Sequence, residues 1–162
     1  TTPSFDLETE IDATFPTDHI TRQLVEQTLT QFVGNIQQVP PAFSACKVDG
    51  RRAYKIARKG RQVELKAKEL VITEIELLDF SAPSLTIRVV CSKGTYIRAL
   101  ARDIGEALGS GAHLTALRRT RVGNVSIDKC SSVDELINQL ENTELVPKKK
   151  NVENHDITEK NQ

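Results

Sequence analysis

The 162 residues carry 22 basic and 22 acidic side chains, with 38% hydrophobic and 27% charged residues, a make-up that predicts a soluble globular chain with one domain or two small lobes. No apolar run approaches the roughly 20 residues of a bilayer span, and no signal peptide opens the chain, so no membrane partner and a cytoplasmic location are expected. Cys46, Cys91 and Cys130 are odd in number and form no CxxC pair, which argues for buried or idle thiols and against a disulfide framework, a zinc site or any other metal centre.

In chain order, Thr1 to Phe15 holds Asp6, Glu8, Glu10 and Asp12 without a long apolar period and is expected to be extended, as a strand. It starts without Met, as a piece of a longer protein would. Thr17 or Asp18 is placed to cap a helix whose stripe is Ile20, Leu24, Thr28 and Phe32, with Gly34 as its stop. The Pro40–Pro41 pair then forbids a helix, and Asp49–Gly50 predicts a turn. A short helix over about 52–58 would set Tyr54 and Arg58 on one face, ended by Gly60. This basic excursion is long enough to protrude from a sheet.

Residues 63–80 read as one or two strands in which Val71, Thr73, Ile75 and Leu77 alternate with Ile72, Glu74 and Glu76. After a turn at 81–84, Leu85, Ile87, Val89 and Cys91 alternate with Thr86, Arg88 and Val90, again a strand with one buried face. Gly94 breaks it, Thr95 is a candidate N-cap, and Ile97, Leu100, Ala101, Ile104 and Leu108 recur at helical spacing. Lys93, Tyr96 and Arg98 therefore gather at a strand-to-helix junction, where free backbone N–H groups favour anions. Residues 112–123 form a further strand candidate, in which His113 is expected to be a satisfied core histidine. Ser131 or Ser132 caps a last helix over 133–140, and the polar tail over 143–162 is expected to be disordered.

The neutral net charge conceals segregation. Sixteen of the 22 basic residues lie in two blocks, Lys47 to Lys68 and Arg88 to Arg121, while acids concentrate at the two ends and between Glu69 and Asp79. Two such blocks can steer a polyanion even on a neutral chain. The residues alone thus support an RNA-binding α/β domain. No P-loop, GxGxxG, HExxH or GxSxG motif is present, and no pair of aspartates stands out as an acid/base couple.

Three segments resemble the bacterial TruB-type tRNA pseudouridine synthases: Gln38 to Gly60 (QVPPAFSACKVDGRRAYKIARKG), Cys91 to Leu100 (CSKGTYIRAL) and Gly109 to Gly123 (GSGAHLTALRRTRVG). Thr1 to Asp6 (TTPSFD) resembles the family's segment just past its first catalytic half. The likeness covers about residues 1–140. It implies an α+β fold, a mostly antiparallel mixed sheet flanked by helices, with a basic thumb over about 40–66 and a catalytic-domain portion over 1–142. It also implies isomerisation of the T-loop uridine of tRNA (position 55) to pseudouridine without a cofactor, and the tRNA T-arm stem-loop as partner. Arg98 matches the arginine that pairs with the catalytic aspartate. Tyr96 and Leu117 match residues lining the uracil pocket, and Lys47 matches a thumb lysine. Tyr54, Arg58, Lys93 and Arg119 are the further RNA-contact candidates.

The family's nucleophile lies in a GxLDPxATG-like motif that is not among these 162 residues, and none of Asp6, Asp12, Asp49 or Asp103 stands in that context. The resemblance therefore implies the C-terminal part of such an enzyme, with Arg98 lacking its carboxylate, no activity by itself, and a sheet edge free for self-association. The competing expectations are a non-catalytic RNA stem-loop binding module and, behind it, a small-molecule α/β enzyme with merely solvated basic patches.

Overall fold

The structure is a computed structural model that describes residues 1–48, 50–61 and 64–142; the tail expected to be disordered lies outside the described residues. It forms two units, Thr1–Leu117 and the residues from Arg118 onward. Among the described residues no helix is long and apolar enough to cross a membrane.

The first unit is α+β. Its sheet has the order β1-β4-β5, antiparallel throughout, from β1 (Gly34–Gln38), β4 (Lys68–Ser81) and β5 (Ser84–Cys91). Helices α1 (Arg22–Thr30) and α3 (Ile97–Ala107) cover it. The core is the meeting of Val25 and Leu29 from α1, Ile72 from β4, and Leu100, Ile104 and Leu108 from α3 and its end. Each such side chain contributes about 1.5–3 kcal/mol through burial. Leu85, Ile87, Val89 and Cys91 pack against this cluster from β5, the face expected from their alternation. Between β1 and β4 the chain makes a basic excursion: a two-residue-per-strand hairpin of β2 (Lys47–Val48) and β3 (Arg51–Arg52), then α2 (Ala53–Ala57). Gly60 follows α2 with φ +69°, a left-handed conformation that suits a stop.

Several local expectations are corrected. Residues 3–9 form turns and bends and residues 10–15 no regular structure, so the expected strand is not formed. The cap of α1 is Thr21, whose hydroxyl accepts from the Leu24 N–H at 3.2 Å, so the helix starts one turn later than Thr17 or Asp18 would place it. In β4, register shifts between Ile72 and Glu74 and between Leu77 and Asp79 re-phase the alternation: Leu70 and Ile72 are buried and Val71 is exposed, whereas beyond the first shift Ile75 and Leu77 point inward. Thr95 does not cap α3; its hydroxyl donates to Ser92 O, and Tyr96 occupies the cap position.

In the second unit, the strand expected over 112–123 shrinks to a small hairpin of β6 (Arg121–Val122) and β7 (Val125–Ser126) around Gly123. His113, at the end of the first unit, is half-buried rather than a core residue. Helix α4 (Val133–Asn142) starts at a reciprocal cap: Glu135 N–H donates to Ser132 Oγ at 3.2 Å and Ser132 N–H to Glu135 Oε2 at 2.7 Å.

Candidate functional site

The turn from β5 into α3 is built to present Tyr96 and Arg98. Ser92 prolongs the pairing with β4, its N–H donating to Val71 O at 2.8 Å and its hydroxyl accepting from Val71 N–H at 3.0 Å. Gly94, at φ +95°, then reverses the chain in a conformation that a side chain would strain. Tyr96 has no capping side chain of its own. Gln38, at the end of β1 and 1% exposed, takes over that duty: Tyr96 N–H donates to Gln38 Oε1 at 2.9 Å and Gln38 Nε2 donates to Tyr96 O at 3.2 Å. Both backbone groups of the residue are thus fixed by one side chain from the far edge of the sheet.

Arg98 stands in the first turn of α3, an unfavourable place for a cation because the helix dipole is positive there. Three oxygens offset this. Its guanidinium donates to Asp6 Oδ2 at 2.9 Å, to Ser4 O at 3.2 Å and to Phe43 O at 2.8 Å. Arg98 is therefore not a free cation at this junction: it pairs with Asp6, a carboxylate that does not stand in the nucleophile motif. Asp6 is well held: Ser4 Oγ and Glu8 N–H both donate to Oδ1, at 2.5 Å and 2.9 Å. Burial alone would raise its pKa, but the hydrogen bonds from Ser4 and Glu8 and the charge of Arg98 outweigh that and hold the carboxyl below its usual value.

Asp6 and Arg98 open onto a cleft of about 530 Å³ whose other walls are Leu7, Glu8 and residues 114–117. Leu117, 64% exposed, stands on this wall; Tyr96, expected to line one pocket with it, is not among the residues that line the cleft. Tyr54 and Arg58 lie on one face of the α2 turn as expected, the guanidinium 5.6 Å from the ring centroid, and Arg58 also pairs with Glu8 on the cleft. The Tyr96 phenol lies 3.4 Å from Cys46 Sγ, where the basic excursion begins. Lys47 and Lys93 are exposed and enter no ion pair among the described residues. Arg119 belongs to the second unit and is exposed there.

Sequence reasoning missed Ser4, Asp6 and Glu8 as a group, and Gln38. The first had a signal: an Asp whose side chain accepts from the N–H two residues on is an Asx turn, and Ser4-x-Asp6-x-Glu8 has that spacing. Among the described residues no group of three or more His, Cys, Asp or Glu is arranged to hold a metal ion. Chemically, the cleft offers a fixed cation with a carboxylate behind it and apolar walls, suited to a planar polar ring beside an anionic backbone.

Comparisons with known proteins bear on the same residues. Residues 1–97 match the family described as "TruB family pseudouridylate synthase (N terminal domain)", and residues 98–154 match "tRNA pseudouridylate synthase B C-terminal domain". A protein of Phocaeicola vulgatus named tRNA pseudouridine synthase B is 68% identical over 145 residues, covering 90% of this chain and 62% of its own length. One of the same name from Bacteroides fragilis is 75% identical over 130 residues, covering 80% of this chain and 56% of its own. This chain thus spans about three fifths of the curated relatives it matches. A solved structure titled "Crystal Structure of a Cbf5-Nop10-Gar1 Complex" is similar at 32% identity, covering 63% of this chain and 26% of that one with a TM-score of 0.49.

Proposed function

Because the chain belongs to the TruB family of pseudouridylate synthases, we propose that it forms part of an enzyme converting the T-loop uridine of tRNA to pseudouridine, in which the C–N glycosidic bond is broken and the same carbon is rejoined to the base by a C–C bond. The observation that carries this reading is the Arg98 guanidinium, fixed by Asp6 and two carbonyls at the mouth of a cleft with Leu117 on its wall.

In this reading the target uridine leaves its stack and enters the cleft, as bases that undergo chemistry do. Tyr96 and Leu117 line the base. Arg98, already oriented by Asp6, holds the nucleophilic carboxylate that another part of the enzyme supplies. A second carboxylate beside one arginine is tolerable because the planar guanidinium offers five N–H donors. Lys47, Tyr54, Arg58, Lys93 and Arg119 grip the phosphates and bases of the T-arm, which positions the RNA without reading its sequence. The chain by itself binds RNA but does not isomerise it, since the nucleophile motif is not among its residues. The edge of the sheet at β5 gives it a surface for self-association.

The test is binding of a T-arm stem-loop by the 162-residue chain across a salt series, against a loop in which cytidine replaces the target uridine, with pseudouridine formation measured alongside. Salt-sensitive binding that prefers the uridine, with no product, is the expected result. Binding without preference would favour a stem-loop module with no base pocket. Product formation would refute the assignment of the nucleophile to another part of the enzyme.

A further inference from the structure

Cys46 departs from the idle thiol expected of it. Its backbone is pinned where the thumb begins, its carbonyl accepting from Ala53 N–H at 2.7 Å. Its sulfur lies 3.4 Å from Tyr96 Oη and 3.8 Å from Lys68 Nζ. A third group completes the cluster. Ser44, 3% exposed, keeps its hydroxyl buried and, among the described residues, without a well-formed hydrogen bond, yet near enough to the thiol and the phenol to favour the ionised form of each. A buried hydroxyl left unmet is costly unless something arrives to meet it. Here it is aimed at a sulfur that is itself only half-buried.

The electrostatics agree with the geometry. Burial would raise the Cys46 pKa, but the hydrogen bond from Tyr96, the Ser44 hydroxyl and the Lys68 ammonium together bring it below the ordinary thiol value. Tyr96 moves the opposite way, raised by its hydrogen bond to Cys46, by burial and by the charge on that sulfur. The phenol therefore keeps its proton and donates it to the thiolate. A lowered pKa makes each thiolate a weaker nucleophile, but near neutral pH the larger ionised fraction more than compensates.

We propose that Cys46 undergoes reversible thiol–disulfide exchange with low-molecular-mass disulfides, and that the resulting mixed disulfide disables the base-binding face of Tyr96. The Cys46 thiolate attacks one sulfur of the incoming disulfide. The old S–S bond breaks as the new one forms, and the departing thiolate takes a proton from water. Cys46 is oxidised and one half of the reagent is reduced to a thiol, so no further oxidant is needed. The same thiol in excess reverses the step. The group added to sulfur must occupy the space beside Tyr96 Oη and Ser44 Oγ, and it supplies polar atoms to the unmet hydroxyl. The consequence for RNA rests on the proposed function; the exchange itself does not.

The experiment treats the 162-residue chain with glutathione disulfide at pH 7 and follows each cysteine by peptide mass mapping. Cys46 is expected to be modified about tenfold faster than Cys130, although Cys130 is exposed. Lys68→Met and Tyr96→Phe should each slow Cys46 several-fold and move the midpoint of its rate–pH profile upward. The Cys130 rate should stay unchanged, and continued protection of half-buried Cys91 reports that the variants are folded. Modification of Cys130 as fast as Cys46 overturns the proposal, whatever happens with RNA. In the second arm the modified chain should bind the T-arm stem-loop at least tenfold more weakly, with Cys46→Ser indifferent to the reagent. Undiminished binding by the modified chain overturns the claimed effect on Tyr96. Failure of the untreated chain to bind any stem-loop counts against the proposed function instead, and leaves the exchange to be decided by the first arm.

Discussion

Asp6 and Arg98 meet at 2.9 Å although they are 92 positions apart in the chain. The contact joins the turn-rich opening segment to the first turn of α3, so the guanidinium at the cleft is held from a part of the molecule with no regular secondary structure. Replacing Asp6 by Ala should destabilise the first unit by about 2 kcal/mol, the scale for removing one partner of a hydrogen-bonded charge that is mostly sheltered. Denaturant titration measures this. Asp6→Asn keeps a side-chain acceptor for the Ser4 hydroxyl and the Glu8 N–H and should cost less.

The same pair carries a pH signature. The Asp6 carboxyl titrates lower in the folded chain than in the unfolded one, so its contribution to stability is complete above the ordinary carboxylate value and is lost as pH falls through the lower folded value. The stability gap between the native chain and Asp6→Asn should therefore be constant near neutrality and close in acid below about pH 4. A gap that widened in acid would contradict the assignment.

Gln38 is a positioning residue for Tyr96. Gln38→Leu removes both bonds to the Tyr96 backbone at a buried site and should cost about 2–3 kcal/mol. Gln38→Glu retains the acceptor for Tyr96 N–H and sets an oxygen against Tyr96 O. Stem-loop affinity separates a structural from a positioning role: loss of preference for uridine over cytidine, in a variant whose unfolding transition stays cooperative, marks positioning. Equal weakening for both loops would mean that Gln38 only supports the fold.

At Gly105, α3 packs tightly against the segment that follows it. A Cβ there would lie 2.5 Å from Ala112 N and 2.7 Å from Gly111 C, both backbone atoms that cannot swing aside. Gly105→Ala should therefore destabilise by about 3 kcal/mol, although alanine is the better helix former. A thermal melt that rose would show that the 111–112 backbone can move away.

Strand β5 forms one edge of the three-stranded sheet among the described residues, eight residues long. Such an edge invites pairing with a second copy. Sedimentation of the chain should show concentration-dependent dimers, and Val90→Lys, out of phase with the inward-facing Leu85, Ile87 and Val89, should return it to monomer. A chain monomeric at all concentrations would refute self-association.

Much of the frame was legible in the residues. The period-two face of β5 and the helical stripe of α3 survive intact, because burial on one side of each element is what their apolar spacing encodes. The short helix of the basic excursion and its Gly60 stop were equally plain. What escaped were features whose partners lie far off in sequence. Thr95 looks like a cap, but Gln38 from the opposite edge of the sheet serves the start of α3 and leaves the threonine free to bond Ser92. The pairing of Arg98 follows from an Asx turn that becomes informative only once residue 98 is seen beside it. In 112–123, β-branched content suggested a strand, yet a partner exists for only two residues of it.

The two slips of phase in β4 have an implication for how this chain can change length. Deletions usually fall in loops, where a missing residue shortens a path and little else. At Thr73 the arithmetic differs: Thr73 and Glu74 both face outward between Ile72 and Ile75, so losing Thr73 would restore plain alternation and leave Ile75 and Leu77 against the core. Losing Glu76 instead would turn Leu77 to water. The irregular spot is thus the most editable point of the strand, and lineages of this protein should vary in length at residue 73 while keeping one residue between Ile75 and Leu77.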